Sequence, residues 1–336
     1  MEFSSAVPYI GNLSQVFDVK SYRLTGGRQE GVSAVDIDNG TGLQFTVLAD
    51  RCMDFYQIKF RGKNCNYHTP SGIVAPSYYN CAGAEWLRSF FGGFLTTCGL
   101  TTTGTGSEDG GETLGIHGRI ANTPAEHFNV DVSTDPDSGK PQVVLKGTMK
   151  EAVLFGNCLS LTREIVCTYG DNRIRFTDTV ENIGYHDTPH MVLYHFNIGY
   201  PLLSEKAVLR IPSRKMVPRD EHARETAAFW DRIDPPLENQ QESCFYHDLI
   251  CDSDGISCVG IDNPEENIGI RIRFDKQALP YFVQWRMLGK GEYVTGLEPA
   301  NAPIDGRAKA RADGLLPSLA PGEKKMYRFE IEALDI

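Results

Sequence analysis

Residues 142–182 read QVVLKGTMKEAVLFGNCLSLTREIVCTYGDNRIRFTDTVEN and contain three successive segments in which apolar and polar side chains alternate. These segments, 142–150, 159–169 and 173–182, are rich in Val, Ile, Phe, Tyr and Thr. Alternation with a period of two predicts β-strands with one buried face. The sequences Asp171-Asn172 and Asn182-Ile183-Gly184 are typical of turns and separate the strands.

The same pattern recurs along the chain, whereas helical patterns are few and short. Further strands are predicted at residues 42–48, 190–197, 268–274, 281–287 and 325–333. Helices are predicted only at 82–90 and 225–232, the second ending before Pro235-Pro236. Many strands without intervening helices predict an all-β protein, a large antiparallel β-sandwich. Because no linker tract or fixed-period repeat divides the chain, we expect one domain spanning residues 1–336.

The composition restricts the class of partner. The 336 residues are 41% hydrophobic and 23% charged, which is ordinary for a folded globular protein. The formal net charge is −11, and no basic stripe is present that could neutralise phosphates or dock on anionic lipid. We therefore expect a small-molecule ligand and no nucleic-acid or membrane partner. A homo-oligomer is left open.

The cysteines and the first residues bear on compartment and metal content. No apolar run is long enough to span a bilayer, and residues 1–11 lack the basic start and apolar middle of a signal peptide. We expect a cytoplasmic protein. The nine cysteines are scattered without CxxC pairs, so we expect reduced thiols, no disulfides and no zinc site.

Three local clusters place polar side chains where a predicted strand meets a loop. The first holds His117 and Arg119 between glycines, which let the backbone pass close to a ligand. In the second, alternation places His195 and Asn197 on one strand face. In the third, a following proline favours an extended backbone at Glu298. The structural alternatives are a charged surface turn, a buried histidine satisfied by backbone, and an exposed glutamate.

Two earlier segments add arginine and aromatic side chains. Arg51 follows a predicted strand, and Trp86 lies just before Phe91-Gly92-Gly93. Aromatic faces and guanidinium groups suit sugars, whose C–H faces stack on rings and whose hydroxyls accept hydrogen bonds. Ion pairs and a core tryptophan are the alternative interpretation. The glycine-rich stretches lack the GxxxxGK[ST] and GxGxxG spacings, so nucleotide binding is not predicted.

The order of these motifs resembles the galactose-mutarotase-like superfamily, specifically its aldose 1-epimerase-like branch. The resemblance spans nearly the whole chain and rests on the following elements: Asp50-Arg51-Cys52-Met53-Asp54, Trp86 to Leu100, His117-Gly118-Arg119 with Asn122, His195-Phe196-Asn197, Gln284-Trp285 and Glu298-Pro299 with Asn301.

The resemblance implies a fold and a set of roles. It implies a large antiparallel β-sandwich with an open groove, His195 as general acid, Glu298 as general base and His117 as a sugar ligand. This sequence differs from the family's familiar His-Pro-Tyr-Phe-Asn form, since residues 190–197 read HMVLYHFN. Further candidate substrate-binding residues are Arg51, Trp86, Arg119, Asn197, Asp248 and Gln284.

The implied reaction is interconversion of the α and β anomers of a sugar by acid–base opening and closing of the ring, without metal or other cofactor. Because one fold hosts many activities, epimerisation of an acidic or phosphorylated sugar, isomerisation and glycoside cleavage all stay open. Arg88 or Arg286 facing the groove would favour such an anionic substrate. A non-catalytic sugar-binding sensor is a further alternative, and it would not need both His195 and Glu298.

Overall fold

The computed structural model describes residues 3–336, and strands dominate it. Each of the eight predicted strands coincides with a strand of the structure, with ends that differ by a few residues. The strands are β1 (Asp18–Arg23), β2 (Ser33–Asp38), β3 (Leu43–Leu48), β4 (Asp54–Phe60), β5 (Lys63–Asn64), β6 (Tyr67–His68), β7 (Gly92–Gly93), β8 (Leu95–Leu100), β9 (Ser107–Asp109), β10 (Glu112–Leu114), β11 (Glu126–Thr134), β12 (Pro141–Ala152), β13 (Cys158–Thr168), β14 (Arg173–Asn182), β15 (Thr188–Pro189), β16 (Met191–Gly199), β17 (Val208–Arg210), β18 (Ser213–Pro218), β19 (Ser243–Leu249), β20 (Ile256–Asn263), β21 (Ile268–Asp275), β22 (Tyr281–Gly289), β23 (Glu292–Ala300), β24 (Ser318–Leu319) and β25 (Lys324–Leu334).

The helices are short, and both predicted helices differ from the structure. Residues 82–90 form only a 3₁₀ turn, Glu85–Arg88. The second helix begins earlier than predicted because the Asp220 side chain caps it by accepting a hydrogen bond from the Ala223 amide. The α-helices are α1 (Phe3–Ala6), α2 (Glu221–Thr226) and α3 (Arg307–Ala312). The remaining 3₁₀ turns are Val7–Tyr9, Leu13–Gln15, Gly27–Gln29, Pro76–Tyr78, Ile120–Asn122 and Ala227–Phe229.

Three antiparallel sheets make up most of the protein. The largest has eight strands in the order β11-β12-β13-β14-β25-β21-β20-β17. The second has six, β18-β19-β22-β23-β16-β8, and the third has five, β1 to β5 in sequence order. The predicted all-β antiparallel sandwich is confirmed, because the two larger sheets pack face to face.

Aromatic side chains fill the space between the two larger sheets. Tyr194 and Phe196 on β16 contact Phe329 on β25, with ring centroids 4.4 and 5.6 Å apart. Phe274 on β21 stacks against Phe282 on β22 in the same layer. Each such ring removes a large apolar surface from water, which contributes about 1.5–3 kcal/mol. The five-stranded sheet joins this core through Phe55 on β4, which packs on Phe176 of β14.

A fully buried ion cluster, which we call the core cluster, ties the three sheets together. The Arg163 guanidinium on β13 forms salt bridges with Asp178 on β14 and Asp54 on β4, each at 2.7 Å. It also donates to the Thr97 hydroxyl on β8 at 2.8 Å. The Tyr194 hydroxyl completes the set by donating to Asp178 at 2.9 Å. Buried charges are tolerated only when paired and hydrogen-bonded in this way.

All nine cysteines are free thiols, and five of them are buried. None of the helices formed by residues 3–336 is long and apolar enough to cross a membrane.

Candidate active site

His195 and Glu298 form a cross-strand pair on neighbouring strands of the six-stranded sheet. In the antiparallel register of β16 and β23, Leu193 lies opposite Ala300 and Phe196 opposite Leu297, so His195 lies opposite Glu298. Directly opposed residues share a face and have Cβ atoms about 5 Å apart. The His195 Nε2 atom is 3.2 Å from Glu298 Oε1, and both residues are buried. The backbone pairing alone therefore brings these side chains together.

The opposite face of β16 points into the core between the sheets. Tyr194 and Phe196 belong to the main hydrophobic core, and His195 between them points the other way. The alternation that is visible in the sequence thus separates the core side chains from the site side chains.

A cavity of about 170 Å³ opens over the pair. Aromatic rings form much of its wall. Trp86 stacks on Phe90 and lies 4.7 Å from the His117 ring, and Trp285 contacts His195 edge-on at 5.3 Å. The lining residues are Trp86, Leu87, Phe90, Gly104, Thr105, Ile116, His117, His195, Arg219, Glu242, Cys244, Trp285, Glu298 and Ile304. Such a mixture of aromatic walls and a few polar groups is typical of a small-molecule site.

Several buried polar atoms of this cavity have no hydrogen-bond partner among the described residues: Trp86 Nε1, His117 Nδ1, His195 Nδ1 and Glu298 Oε1. The approach of His195 to Glu298 is close but not aligned as a hydrogen bond. Buried polar groups in proteins nearly always have partners. Four such atoms lie around this one cavity, an arrangement suited to a polar ligand. We call these four residues the site cluster.

Burial shifts the pKa values of His195 and Glu298 in opposite directions, and each shift favours the neutral form of its group. It lowers the pKa of His195 to about 4. It raises the pKa of Glu298 well above its usual range; Glu242 adds to this effect and Arg219 opposes it. Burial therefore favours a neutral imidazole beside a protonated carboxyl, an arrangement in which one proton can move between the two side chains.

The backbone of the His117 loop is held in an uncommon conformation. His117 has a φ of 58°, in the left-handed region, and its amide donates to the Gly104 carbonyl while its carbonyl accepts from the Gly99 amide. A Cβ on the next residue, Gly118, would lie 2.3 Å from the Gly99 carbonyl oxygen, so only glycine fits there. Burial also lowers the pKa of His117 to about 3, which leaves its ring neutral.

The sequence matches a family model described as a domain of unknown function, DUF4432, over residues 29–333. The chain belongs to this family. No curated protein matches the sequence significantly.

Solved structures related to this DUF4432 chain share its fold. A putative aldose 1-epimerase from Klebsiella pneumoniae is 25% identical, with a TM-score of 0.89, over 95% of this chain and 84% of that one. A galactose mutarotase-like protein from Clostridium acetobutylicum is 14% identical, with a TM-score of 0.65, over 96% and 100%. A galactose 1-epimerase from Lactobacillus acidophilus is 13% identical, with a TM-score of 0.59, over 95% and 99%. The predicted resemblance to galactose-mutarotase-like proteins is thus confirmed at the level of fold.

Arg51 does not reach the cavity, contrary to the prediction that it binds the substrate. Its side chain is almost completely buried, and its three guanidinium nitrogens donate to backbone carbonyls that belong to Ala121, Val74 and Ser89. Its three nitrogens therefore join three segments of backbone that lie outside the strands. Arg51 is a structural residue.

Asn197 and Gln284 also lie outside the cavity lining. The Asn197 amide donates to the backbone carbonyls of Gly92 and His195 behind the site. Gln284 is fully buried and contacts His247, because the next residue of β22, Trp285, takes the face toward the cavity. Neighbouring residues of a strand point to opposite faces of the sheet. The prediction therefore assigned Gln284 to the cavity, whereas it is the adjacent Trp285 that faces it.

Arg119 and Asp248 point elsewhere as well. Arg119 lies two residues after His117 but lines a separate small cavity with Tyr79 and Glu151 on the far side of the loop. Asp248 is exposed and accepts a hydrogen bond from Lys276. Neither residue lines the cavity of the His195–Glu298 pair.

The arginines proposed as markers of an anionic substrate are engaged by carboxylates. Arg88 is exposed and pairs with Glu85, and Arg286 pairs with Asp234. Neither lines the cavity. No set of three or more His, Cys, Asp or Glu side chains within residues 3–336 is arranged to hold a metal ion.

The remaining aromatic and charged residues of the cavity wall, Phe90, Arg219, Glu242 and Trp285, were not predicted as ligands. Arg219 is held by Asp305 at 3.0 Å and by the Thr105 hydroxyl at 2.7 Å. Trp285 Nε1 donates to Glu242 at 2.8 Å. The alternation of β22 marks Trp285 as a candidate, but Arg219 and Glu242 lie in connecting segments without any pattern that distinguishes them.

Proposed function

We propose that this protein is an aldose 1-epimerase, an enzyme that interconverts the α and β anomers of a monosaccharide. The observation that carries the proposal is the His195–Glu298 pair, 3.2 Å apart at the base of an aromatic cavity. The fold shared with proteins named as aldose and galactose 1-epimerases supports a sugar as the substrate class.

The spacing of the pair suits the geometry of this reaction. Ring opening removes a proton from the anomeric hydroxyl and delivers one to the ring oxygen, and both oxygens are bonded to the same carbon, C1. The acid and the base must therefore lie next to each other on one side of the substrate. His195 and Glu298 meet this requirement, and we assign Glu298 to the anomeric hydroxyl and His195 to the ring oxygen.

The number of protons held by His195 and Glu298 together is the same before and after one cycle. The reacting form is the carboxylate of Glu298 beside the imidazolium of His195, which differs from the neutral pair by one proton transfer. Glu298 takes the anomeric proton as the C1–ring-oxygen bond breaks, and the ring oxygen takes the proton of His195. The open-chain aldehyde thus faces the neutral pair, the form that burial favours. Rotation about C1–C2 and the reverse transfers close the ring as the other anomer.

The cavity walls supply the contacts for the rest of the sugar. The rings of Trp86, Phe90 and Trp285 offer faces for the C–H surface of a pyranose. His117 and Arg219 provide nitrogen atoms at positions suited to hydroxyl groups. The proton transfers balance between the two side chains and the sugar, so exhaustive chelation and omission of nucleotide should leave the activity unchanged.

The direct test is anomer exchange measured by saturation-transfer NMR on neutral, acidic and phosphorylated sugars. Glu298→Gln and His195→Asn should each lower turnover by about a hundred- to ten-thousandfold, while calorimetric affinity for the sugar stays within about tenfold of wild type because both groups act on protons in the transition state. Glu238→Gln and His186→Asn, at exposed positions away from the cavity, are the matched controls.

Two outcomes would contradict the assignment. Turnover of Glu298→Gln near the wild-type rate would exclude Glu298 as the base. Sugar binding by the wild-type protein without exchange of any anomer would favour the non-catalytic sensor.

A further inference from the structure

Gly296 lies two residues before Glu298 on β23 and on the same face of the sheet. Its Cα is paired with Trp285 on β22 and with Asn197 on β16, so it occupies the middle of a three-strand segment beneath the cavity. A Cβ built on Gly296 would lie 2.2 Å from Glu298 Oε1 and 3.0 Å from the Cβ of Trp285. The Glu298 carboxyl therefore occupies the space that any other residue at position 296 would fill.

The backbone does not require glycine at this position. The φ of Gly296 lies outside the left-handed region, and an extended strand is accessible to every residue. Glycine in the interior of a strand weakens the strand, because it has more freedom to lose on folding and no side chain to pack. Glycine at position 296 thus destabilises β23 locally, and the backbone conformation of the strand gives no reason for a glycine there.

We infer that Gly296 is a positioning residue, which lets the Glu298 carboxyl fold back along its own strand toward His195. The inference rests on the proposed function for its kinetic consequence but not for its geometry. A methyl group at position 296 forces the carboxyl oxygen to move by about 1 Å to reach normal contact, and misplacement of a reacting group by that distance costs about a hundredfold in rate.

The kinetic test is Gly296→Ala, measured by anomer exchange on the sugar that wild type converts fastest. We expect kcat to fall by about a hundredfold with KM changed far less, because the Glu298 carboxyl must move by about 1 Å whereas the Trp285 wall must give by only a few tenths of an ångström. The matched control is Gly269→Ala on β21 in the other sheet, where the new Cβ would lie 2.6 Å from the Asp262 carboxyl oxygen. That variant should keep the wild-type kcat. Equal turnover of Gly296→Ala and wild type would overturn the inference while leaving the proposed function intact.

A double variant separates positioning from general damage to the site. In Gly296→Ala/Glu298→Gln the catalytic carboxylate is already absent, so the alanine should cause no further loss of turnover. Losses that multiply would show that Gly296 acts through something other than Glu298.

A crystal structure and unfolding measurements test the geometry without any activity. In Gly296→Ala the distance from Glu298 Oε1 to His195 Nε2 should exceed the 3.2 Å of the wild type. An unchanged distance would overturn the inference even if no sugar proves to be a substrate. Should that variant fold poorly, the Glu298→Ala background removes the obstructing carboxyl. There the alanine at 296 should cost less free energy of unfolding than in wild type, and an equal cost would contradict the inference.

Discussion

The core cluster and the site cluster lie against opposite faces of β16, which contributes Tyr194 to the first and His195 to the second. The two clusters differ in hydrogen bonding. In the core cluster every nitrogen of the Arg163 guanidinium donates to a buried acceptor. In the site cluster four buried polar atoms have no partner within residues 3–336. Both clusters are buried and both contain ionisable groups, so burial and charge alone do not distinguish structure from function.

The two clusters are separated by whether their polar groups are hydrogen-bonded. A saturated cluster has no capacity left for a ligand, and its groups serve to join the elements that supply them. A cluster with unpaired buried polar atoms destabilises the folded state, because no hydrogen bond replaces the ones those atoms made to water. Such clusters concentrate at sites where a ligand or a reaction uses the groups. Asp54 and Glu298 are both buried carboxyls, yet only Glu298 faces a cavity.

The largest expected effect is on the core cluster. Arg163→Met leaves Asp54 and Asp178 buried without their cation and should lower the free energy of unfolding by about 3–5 kcal/mol. Urea denaturation measures this loss. Arg175→Met on the neighbouring strand is the control, because Arg175 is partly exposed and pairs with Asp171 and Glu330 at the surface, where a pair contributes about 0–1 kcal/mol. Equal losses in the two variants would contradict the proposed role of the core cluster.

Tyr194→Phe tests whether the two faces of β16 act independently. It removes the hydroxyl that donates to Asp178 and should cost about 1.5–3 kcal/mol of stability, the usual contribution of a hydrogen bond to a charged group. Turnover should stay near wild type, although the neighbouring residue is His195. Both quantities are measured on the same preparation. A loss of turnover as large as that of His195→Asn would show that the two clusters are coupled.

His195 should make the fold sensitive to acid, whereas the raised pKa of Glu298 acts in the opposite direction. Because the pKa of His195 is lowered to about 4, this residue binds fewer protons in the folded than in the unfolded state between pH 6.5 and 4, and its contribution to stability falls as the pH falls through this window. His195→Asn should reduce that slope by up to about 1.4 kcal/mol per pH unit. Urea midpoints measured from pH 8 to 4.5 test this, and above pH 7 the wild type and the variant should run parallel. Identical slopes at acidic pH would show that His195 protonates freely in the folded protein.

The smallest effect is expected for the stability of Glu298→Gln. Burial raises the pKa of the Glu298 carboxyl and so favours its neutral form, and Oε1 has no hydrogen-bond partner within residues 3–336, so an amide of the same shape should change the free energy of unfolding by no more than about 1 kcal/mol. Asp178→Asn is the matched substitution in the core cluster and should cost clearly more. If the two costs were equal, the contrast between the clusters would fail.

Much of the fold was predictable from the sequence because strand alternation is a local property. The segment 173–182 has the period of a half-buried strand whatever it pairs with, and it forms β14. The helices were less predictable, since the start of α2 depends on the Asp220 cap rather than on periodicity. The pairing of distant strands, such as β14 with β25, requires the three-dimensional register.

For the candidate site, the sequence indicated the groups but not all of their directions. His117, His195 and Glu298 do converge on one cavity together with Trp86, and their roles remain predictions. Arg51 was misassigned because nothing local distinguishes an arginine that binds backbone carbonyls from one that binds a ligand. Arg219 was missed because its position depends on Asp305 and Thr105, which are distant in sequence.

The proposed acid–base pair lies on two hydrogen-bonded strands, whereas Trp86, His117, Arg219 and Glu242 lie on segments that connect strands. Under the proposed function, the proton transfer and most of the sugar contacts are therefore encoded in separate parts of the chain, Trp285 on β22 being the exception. Loops accept substitutions and insertions more readily than paired strands do. Libraries confined to residues 85–90, 104–117, 219 and 242 should consequently alter which sugar is accepted while the proton-transfer geometry is inherited unchanged, so the protein is well suited as a starting point for directed evolution.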